Sequence, residues 1–221
     1  MNRLLKRLMD ISGALLALVL FSPLMLWASV MIHRTMGAPV LFRQVRPGLN
    51  QQPFHILKFR TMRNAVDASG NPLSEAERLT GFGAFMRQWS IDELPQFINI
   101  LKGEMSFVGP RPLLYDFFPF YTTTEMRRHE VKPGVTGWAQ IHGRNHLDWD
   151  TKLAMDVWYV DHWNIWLDLK IILRTVRLVL KREGVTNEGH ATFLRLDDDR
   201  RAKGVAPVVH AGAYVYAPNG H

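Results

Sequence analysis

Cysteine is absent from the sequence, which excludes disulfides, thiolate catalysis and metal sites built on cysteine. Internal repeats, zinc-finger spacing and an RNP-type aromatic motif are also lacking, which weakens the case for a nucleic-acid-binding protein. Acidic residues are outnumbered, because 20 Asp and Glu stand against 27 Lys and Arg and leave a formal charge of +7. This excess suits three kinds of partner: nucleic acid, anionic lipid and phosphate-bearing substrates.

The length and composition are those of a folded protein. Hydrophobic residues make up 47% of the 221 positions and charged residues 21%, so the chain can bury a core. A chain of this length forms one sizeable domain or two small ones.

The N-terminal region contains an uncharged, apolar stretch at 11–32. As a straight helix it would reach about 33 Å, and a bilayer core is about 30 Å thick. A cleaved signal peptide has a shorter apolar region and a small-residue cleavage site. A spanning helix carries positive charge mainly on one side. Here basic residues stand on both sides of the stretch: Arg3, Lys6, Arg7, Arg34, Arg43 and Arg46.

Ser22 and Pro23 lie at the centre of this stretch. Proline removes a backbone donor and disrupts a helix. A third interpretation is therefore a helix that bends at Ser22-Pro23 and returns to the same face of the membrane.

The next region predicts a mixture of strands and helices. Two apolar runs on either side of the turn at 46–50 predict a β-hairpin. Ser74 with Glu77, and Ser90 with Glu93, have the spacing of capping boxes, and each pair predicts the start of a helix. Further helices are predicted at 125–129, 148–161 and 166–182.

The helix predicted at 166–182 has a broad apolar face and a cationic face formed by Lys170, Arg174, Arg177 and Lys181. This pattern is typical of a helix that lies in the membrane interface. It also fits an ordinary surface helix packed on a core. Beyond residue 187 the sequence turns polar and predicts a C-terminal tail at 188–221.

Asp92 and Glu93 are the candidate catalytic residues. Acids in a first helical turn often serve only the helix dipole, but basic residues surround this pair in the sequence. Arg87 precedes the acids, Arg111 follows between two prolines, and Lys58 and Arg60 alternate on a predicted strand, which would place both on one face. A carboxylate among cations suits magnesium and a diphosphate.

Four motifs together resemble the bacterial sugar transferase family, the monotopic polyprenyl-phosphate phosphoglycosyl transferases. The motifs stand in the family's order and are KFRTM at 58–62, SIDELPQ at 90–96, GEMSFVGPRP at 103–112 and KPGVTGWAQ at 132–140. The resemblance covers roughly residues 1 to 187. His142 departs from it, since asparagine is commoner at that position.

The resemblance implies a specific reaction at the cytoplasmic face of the inner membrane. The expected enzyme transfers a sugar 1-phosphate from a UDP-sugar to polyprenyl (undecaprenyl) phosphate, releases UMP, and begins glycoconjugate assembly. Magnesium is the expected cofactor. The expected partners are UDP-sugar, polyprenyl phosphate, membrane lipid and a second copy of the chain, with no nucleic acid.

The resemblance also assigns residues and boundaries. Asp92 is the expected nucleophile and metal ligand, and Glu93 is its catalytic partner. The expected substrate-binding residues are Arg111, Arg87, Lys58, Arg60 and Arg144. A re-entrant membrane helix, broken at Ser22 and Pro23, is expected at 1–36, and a compact cytoplasmic domain with interfacial amphipathic helices at 37–187. The expected fold class is thus α+β and mostly helical.

Two other functions fit the residues alone. One is a membrane-tethered module that binds a phosphate ligand without turnover. The other is a basic nucleic-acid binder with an N-terminal anchor, whose affinity would depend steeply on salt.

Overall fold

The computed structural model describes residues 2–67, 69–71, 73–143, 147–181 and 195–208. The helices in these ranges are α1 Asn2–Met36, α2 Glu75–Arg78, α3 Gly81–Gln88, α4 Gln96–Lys102, α5 Thr123–Met126, α6 Trp138–His142, α7 Trp149–His162, α8 Ile165–Leu180 and α9 Leu196–Ala202. The strands are β1 Leu41–Pro47, β2 Pro53–Phe59, β3 Ser106–Val108 and β4 Gly134–Thr136. Short 3₁₀ turns occur at Leu49–Gln51, Ile91–Glu93, Tyr115–Phe120 and Arg127–Glu130. The predicted α+β, mostly helical fold is confirmed.

The N-terminal half of α1 is fixed to the rest of the protein by polar contacts. The Arg7 guanidinium donates to the carbonyl oxygens of Ile100 and Leu101 at 2.6 and 2.7 Å. The buried Asp10 carboxylate accepts from the Ser106 hydroxyl at 2.9 Å and from the Phe107 N–H at 3.1 Å. Arg7 thus binds the carbonyl-exposing end of α4, and Asp10 binds the start of the strand that follows.

The C-terminal half of α1 packs on the same body through apolar side chains. Ala28 and Ile32 are fully buried in a cluster with Phe59, Met86 and Ile91. Between the two anchored parts, apolar side chains are exposed to 51–74%: Leu15, Leu16, Val19 and Leu20. By length and composition α1 could cross a membrane. α1 is therefore an apolar helix that contacts one domain near both of its ends.

The helix continues through Pro23. Proline cannot donate to the carbonyl four residues before it, which here belongs to Val19. The Ser22 hydroxyl donates to that carbonyl oxygen at 2.8 Å. The serine thus supplies the hydrogen bond that the proline removes, and the break expected at Ser22 and Pro23 does not interrupt the helix.

The predicted β-hairpin is confirmed, and α4 docks on one of its strands. β1 and β2 pair antiparallel, from Leu41 opposite Phe59 to Pro47 opposite Pro53. The fully buried Asn99 of α4 accepts from the Leu57 N–H at 3.0 Å and donates to the His55 carbonyl at 2.7 Å. The Asn99 amide thus forms hydrogen bonds with backbone groups of β2 that could otherwise pair with a third strand. These bonds hold β2 against α4.

The second sheet was not predicted. β3 and β4 pair in parallel and join the motif at 103–112 to the motif at 132–140. The backbones come so close that a Cβ on Gly109 would lie 2.2 Å from the Lys132 carbonyl oxygen, and one on Gly134 would lie 2.1 Å from the Gly109 nitrogen. Only glycine permits this approach.

The C-terminal region contains a structured segment within the part predicted as a polar tail. In α9, Leu196 is fully buried in a cluster with Phe117, Phe118 and Leu153. Arg200 donates to Glu125 at 2.6 Å. The segment is therefore held on the 3₁₀ turn that follows the Pro110–Pro112 region.

Candidate active site

Asp92 and Glu93 lie in the 3₁₀ turn Ile91–Glu93, and not at the capped start of a helix. The expected capping box at Ser90 and Glu93 is wrong, because Ser90 has a left-handed backbone (φ 55°) and makes no side-chain cap. α4 begins only at Gln96, after Pro95. The Glu93 carboxylate is therefore free to contact other side chains.

The Glu93 carboxylate forms salt bridges with two cationic side chains. Its Oε1 atom lies 2.6 Å from Lys58 Nζ and 2.7 Å from Arg111 Nη2. Burial alone would raise the pKa of Glu93, but the charges of Arg111 and Lys58 outweigh it and lower that pKa to about 2. Glu93 thus stays ionised and ties strand β2 to the turn at Arg111.

Asp92 has different surroundings. It is only 8% exposed, and no side chain in the described ranges donates a hydrogen bond to its carboxylate. Burial, followed by the nearby charge of Glu93, raises the pKa of Asp92 to about 6. Lys58, Arg111 and Arg87 oppose that rise. The result is a buried carboxylate, ionised at neutral pH, whose nucleophilicity is not reduced by a hydrogen bond from any side chain in the described ranges.

A buried ion pair between Arg128 and Asp156 fixes the backbone of Arg111. Arg128 donates to the Arg111 carbonyl at 2.7 Å and to Asp156 Oδ2 at 2.7 Å. The side chains of Arg128 and Asp156 are 1% and 3% exposed. Sequence reasoning missed both residues, because no local pattern distinguishes a buried arginine from the solvated charges around it.

Three predicted substrate-binding residues gather at the dyad. Lys58 and Arg111 contact Glu93 directly, and Arg87 is near enough to lower the pKa of Asp92. Arg87 is held by a hydrogen bond from its Nε to the Thr61 hydroxyl at 3.1 Å.

The structure does not bring Arg60 to the dyad. Its guanidinium donates to the carbonyl oxygens of Met36 and Ala38 instead, so it caps the end of α1. The Arg60 N–H still continues the hairpin, because it donates to the Val40 carbonyl at 2.9 Å, but its side chain does not join Lys58 at Glu93. Arg144 lies outside the described residues.

The dyad offers few side-chain ligands for a metal ion. In the described ranges, no three His, Asp or Glu side chains come together in a way that could hold a metal ion. Asp92 and Glu93 are two carboxylates at one place, and Glu93 is already engaged by cations. Magnesium is commonly held by one or two carboxylates together with substrate phosphates, and the donors at this site fit that arrangement.

His142, the residue that departs from the family pattern, contacts Trp138. Its ring lies 4.0 Å from the Trp138 ring, and its Nδ1 contacts the Trp138 carbonyl at 2.9 Å.

The family model described as "Bacterial sugar transferase" matches residues 1–182. The chain belongs to the bacterial sugar transferase family. This sugar transferase is 52% identical over 192 residues to the uncharacterized sugar transferase EpsL of Bacillus subtilis, a match that covers 87% of this chain and 95% of that protein.

Relatives with more specific names match at lower identity. The undecaprenyl-phosphate galactose phosphotransferase of Salmonella typhimurium is 37% identical over 83% of this chain. The UDP-glucose:undecaprenyl-phosphate glucose-1-phosphate transferase of Escherichia coli is 41% identical over 79% of this chain. This chain spans 42% and 40% of those two proteins. Asp92, Glu93, Arg111 and Lys58 all lie within the family match.

Proposed function

We propose that this sugar transferase moves a sugar 1-phosphate from a UDP-sugar to polyprenyl (undecaprenyl) phosphate and releases UMP. The names of the Salmonella and Escherichia relatives support the reaction class. The observation that carries the proposal is the buried Asp92 carboxylate, which lies beside a Glu93 already bound to Lys58 and Arg111.

The proposed reaction has two displacements at one phosphorus atom. First, an Asp92 carboxylate oxygen attacks the sugar-linked phosphorus of the UDP-sugar. The bond from that phosphorus to the oxygen bridging the two phosphates breaks, and UMP leaves with the bridging oxygen. Then a phosphate oxygen of the polyprenyl phosphate attacks the same phosphorus and displaces Asp92, giving polyprenyl-diphospho-sugar. A carboxylate nucleophile thus divides one difficult transfer into two easier ones.

Glu93 has a positioning role in this proposal. A group whose pKa is about 2 is a poor proton acceptor at neutral pH. Glu93 instead holds Lys58 and Arg111 in place, where their charges can stabilise the phosphoryl oxygens as bonds form and break.

Magnesium is the proposed cofactor. Asp92 would supply the protein ligand and the substrate diphosphate the remaining oxygens. When bound, magnesium would offset negative charge on the diphosphate.

We place the proposed reaction at the cytoplasmic face of the inner membrane, where α1 would enter and leave on one side. Contacts from both ends of α1 to one domain support a re-entrant segment. The exposed face of α8 supports contact with the interface, because Trp166, Leu173 and Leu180 are 71–80% exposed beside cationic side chains.

The test is UMP release by the purified chain, measured with a panel of UDP-sugars, with and without polyprenyl phosphate. We expect one or a few UDP-sugars to give sustained UMP release that needs the lipid. Binding of UDP-sugars without any UMP release would point instead to a tethered binding module.

A further inference from the structure

A narrow cleft separates the Pro110–Pro112 turn from the end of β1. It is lined by Pro47, Gly48, Pro110, Arg111, Pro112, Arg128, His129, Val131 and Pro133. Arg46 directly precedes this end of β1 and is partly buried. Its Nη2 donates to the Gln44 amide oxygen at 2.6 Å, and its Nε is buried and has no hydrogen-bond partner among the described residues. Arg46 is thus a second arginine near Arg111, and one of its N–H groups forms no hydrogen bond in the described ranges.

Arg111 pairs with Glu93 at 2.7 Å, whereas Arg46 has no ion-pair partner among the described residues. Burial, and after it the charge of Arg111, lowers the pKa of Arg46 to about 10. Asp116 opposes that effect, but its side chain is 66% exposed and already pairs with Arg195 at 3.2 Å. Two guanidinium groups in a partly buried cleft repel each other. An anion between them would relieve this repulsion and accept hydrogen bonds from both.

The same cleft holds an unused hydrogen-bond acceptor. His129 is 6% exposed, and its Nδ1 lies 3.1 Å from the Met126 carbonyl. A carbonyl only accepts, so Nδ1 carries the proton and Nε2 is an acceptor. Nε2 is buried without a partner in the described residues. The two arginines can bind a phosphate group. The neutral His129 Nε2 can accept a hydrogen bond from a hydroxyl of the same ligand or from a water molecule.

We propose that Arg46 binds, together with Arg111, a phosphate group of a substrate. This inference rests on the proposed function, because that function supplies the phosphate. Arg46 lies on β1, a different element from every residue assigned to the substrate above, so the hairpin would form one wall of the substrate site. The phosphate belongs either to the UDP-sugar or to the polyprenyl phosphate.

The test compares Arg46→Gln with Arg43→Gln in the full-length, detergent-solubilised chain. Arg43 is a matched control, since it is an exposed arginine on the same strand. The probe is UDP, measured by calorimetry, together with the KM for each substrate. We expect Arg46→Gln to lower UDP affinity about tenfold, the size of one lost charge-assisted contact, and Arg43→Gln to stay within about twofold.

The kinetic arms identify the source of the phosphate. Weaker UDP binding with a raised KM for the UDP-sugar assigns the phosphate to the nucleotide sugar. Unchanged UDP binding with a raised KM for polyprenyl phosphate assigns it to the lipid. Unchanged affinity and unchanged KM for both substrates overturn the proposal, whatever happens to kcat.

Thermal unfolding separates binding from a structural role. Because the two arginines repel each other, Arg46→Gln should unfold at an unchanged or higher temperature without ligand, and UDP should stabilise it less than it stabilises the unsubstituted chain. A lower unfolding temperature with normal UDP affinity would mean that Arg46 only supports the hairpin. If the unsubstituted chain binds UDP but releases no UMP, the proposed function fails, while the comparison of UDP affinities still tests Arg46.

Discussion

Asp92 and Glu93 are adjacent in sequence but have opposite electrostatic surroundings. Glu93 is bound by two cations, which hold its pKa at about 2. Asp92 is buried beside that negative charge, and its pKa rises to about 6. Surroundings that shift the pKa values of two carboxylates in opposite directions suit them to different roles. In the proposed reaction, Asp92 has the higher basicity that a nucleophile needs, and Glu93 holds Lys58 and Arg111 in position.

The first prediction at the residue scale concerns pH. Only ionised Asp92 can attack phosphorus, so single-turnover UMP release should fall as pH drops through about 6, with a slope of one proton. The measurement is the rate of UMP release without polyprenyl phosphate, from pH 4.5 to 8. A rate that stays level down to pH 4.5 would contradict the assignment of Asp92. Loss of folding can be checked by circular dichroism at each pH.

The second prediction concerns Arg111. Arg111→Lys keeps the charge but loses the planar fork, while the buried Arg128–Asp156 pair still holds the turn through the backbone carbonyl. We expect kcat/KM to fall by roughly one to two orders of magnitude and thermal stability to change little. Kinetics within about twofold of the unsubstituted chain would show that Arg111 is only a surface charge.

At the scale of elements, α8 carries a testable claim about the membrane. The apolar and cationic residues on its exposed side would lie in the headgroup region. α1 is part of the core, so the test needs the full chain in nanodiscs. An environment-sensitive fluorophore on Leu173→Cys should emit at shorter wavelength than one on Asn71→Cys, an exposed position between β2 and α2. Adding Arg174→Glu and Arg177→Glu should reduce this difference in anionic nanodiscs. Equal emission from both positions would mean that α8 does not contact lipid.

Elements with a strong local pattern could be predicted from the sequence. The hairpin and the helices α7 and α8 follow from hydrophobic periodicity, and each helix begins one residue from its predicted start. Ser74 forms the predicted capping box, but Ser90 does not, because its backbone is left-handed and its side chain makes no cap.

Elements that depend on distant contacts could not be predicted. The β3–β4 pair joins segments that are separated by more than twenty residues, and each strand has only three residues. In the site, Asp92, Glu93, Lys58 and Arg111 could be named from motifs. Arg128, Asp156 and Arg46 could not, since their roles follow from burial and from neighbours far away in the sequence.

At the scale of the whole molecule, the topology of α1 decides how the chain meets the membrane. α1 has 35 residues, and Asp10 near one end and Ile32 near the other both contact one domain. We predict that single cysteines at Asn2→Cys and Thr35→Cys are both unlabelled by an impermeant thiol reagent in intact cells. Both should react after permeabilisation. Labelling of Asn2→Cys from outside would establish a spanning helix.

The central claim is that Asp92 becomes covalently attached to the sugar phosphate, and peptide mass spectrometry tests it most directly. The chain is incubated with its UDP-sugar in the absence of polyprenyl phosphate and digested with trypsin. The peptide at 88–102 contains both acids, so fragmentation must distinguish Asp92 from Glu93. Asp92→Asn is the control, and it should fold normally, because above about pH 6 the raised pKa means that ionised Asp92 opposes folding. We predict a sugar-phosphate adduct on Asp92 that is absent from Asp92→Asn. An adduct on Glu93 or elsewhere, or UMP release by the Asp92→Asn variant, would contradict the claim.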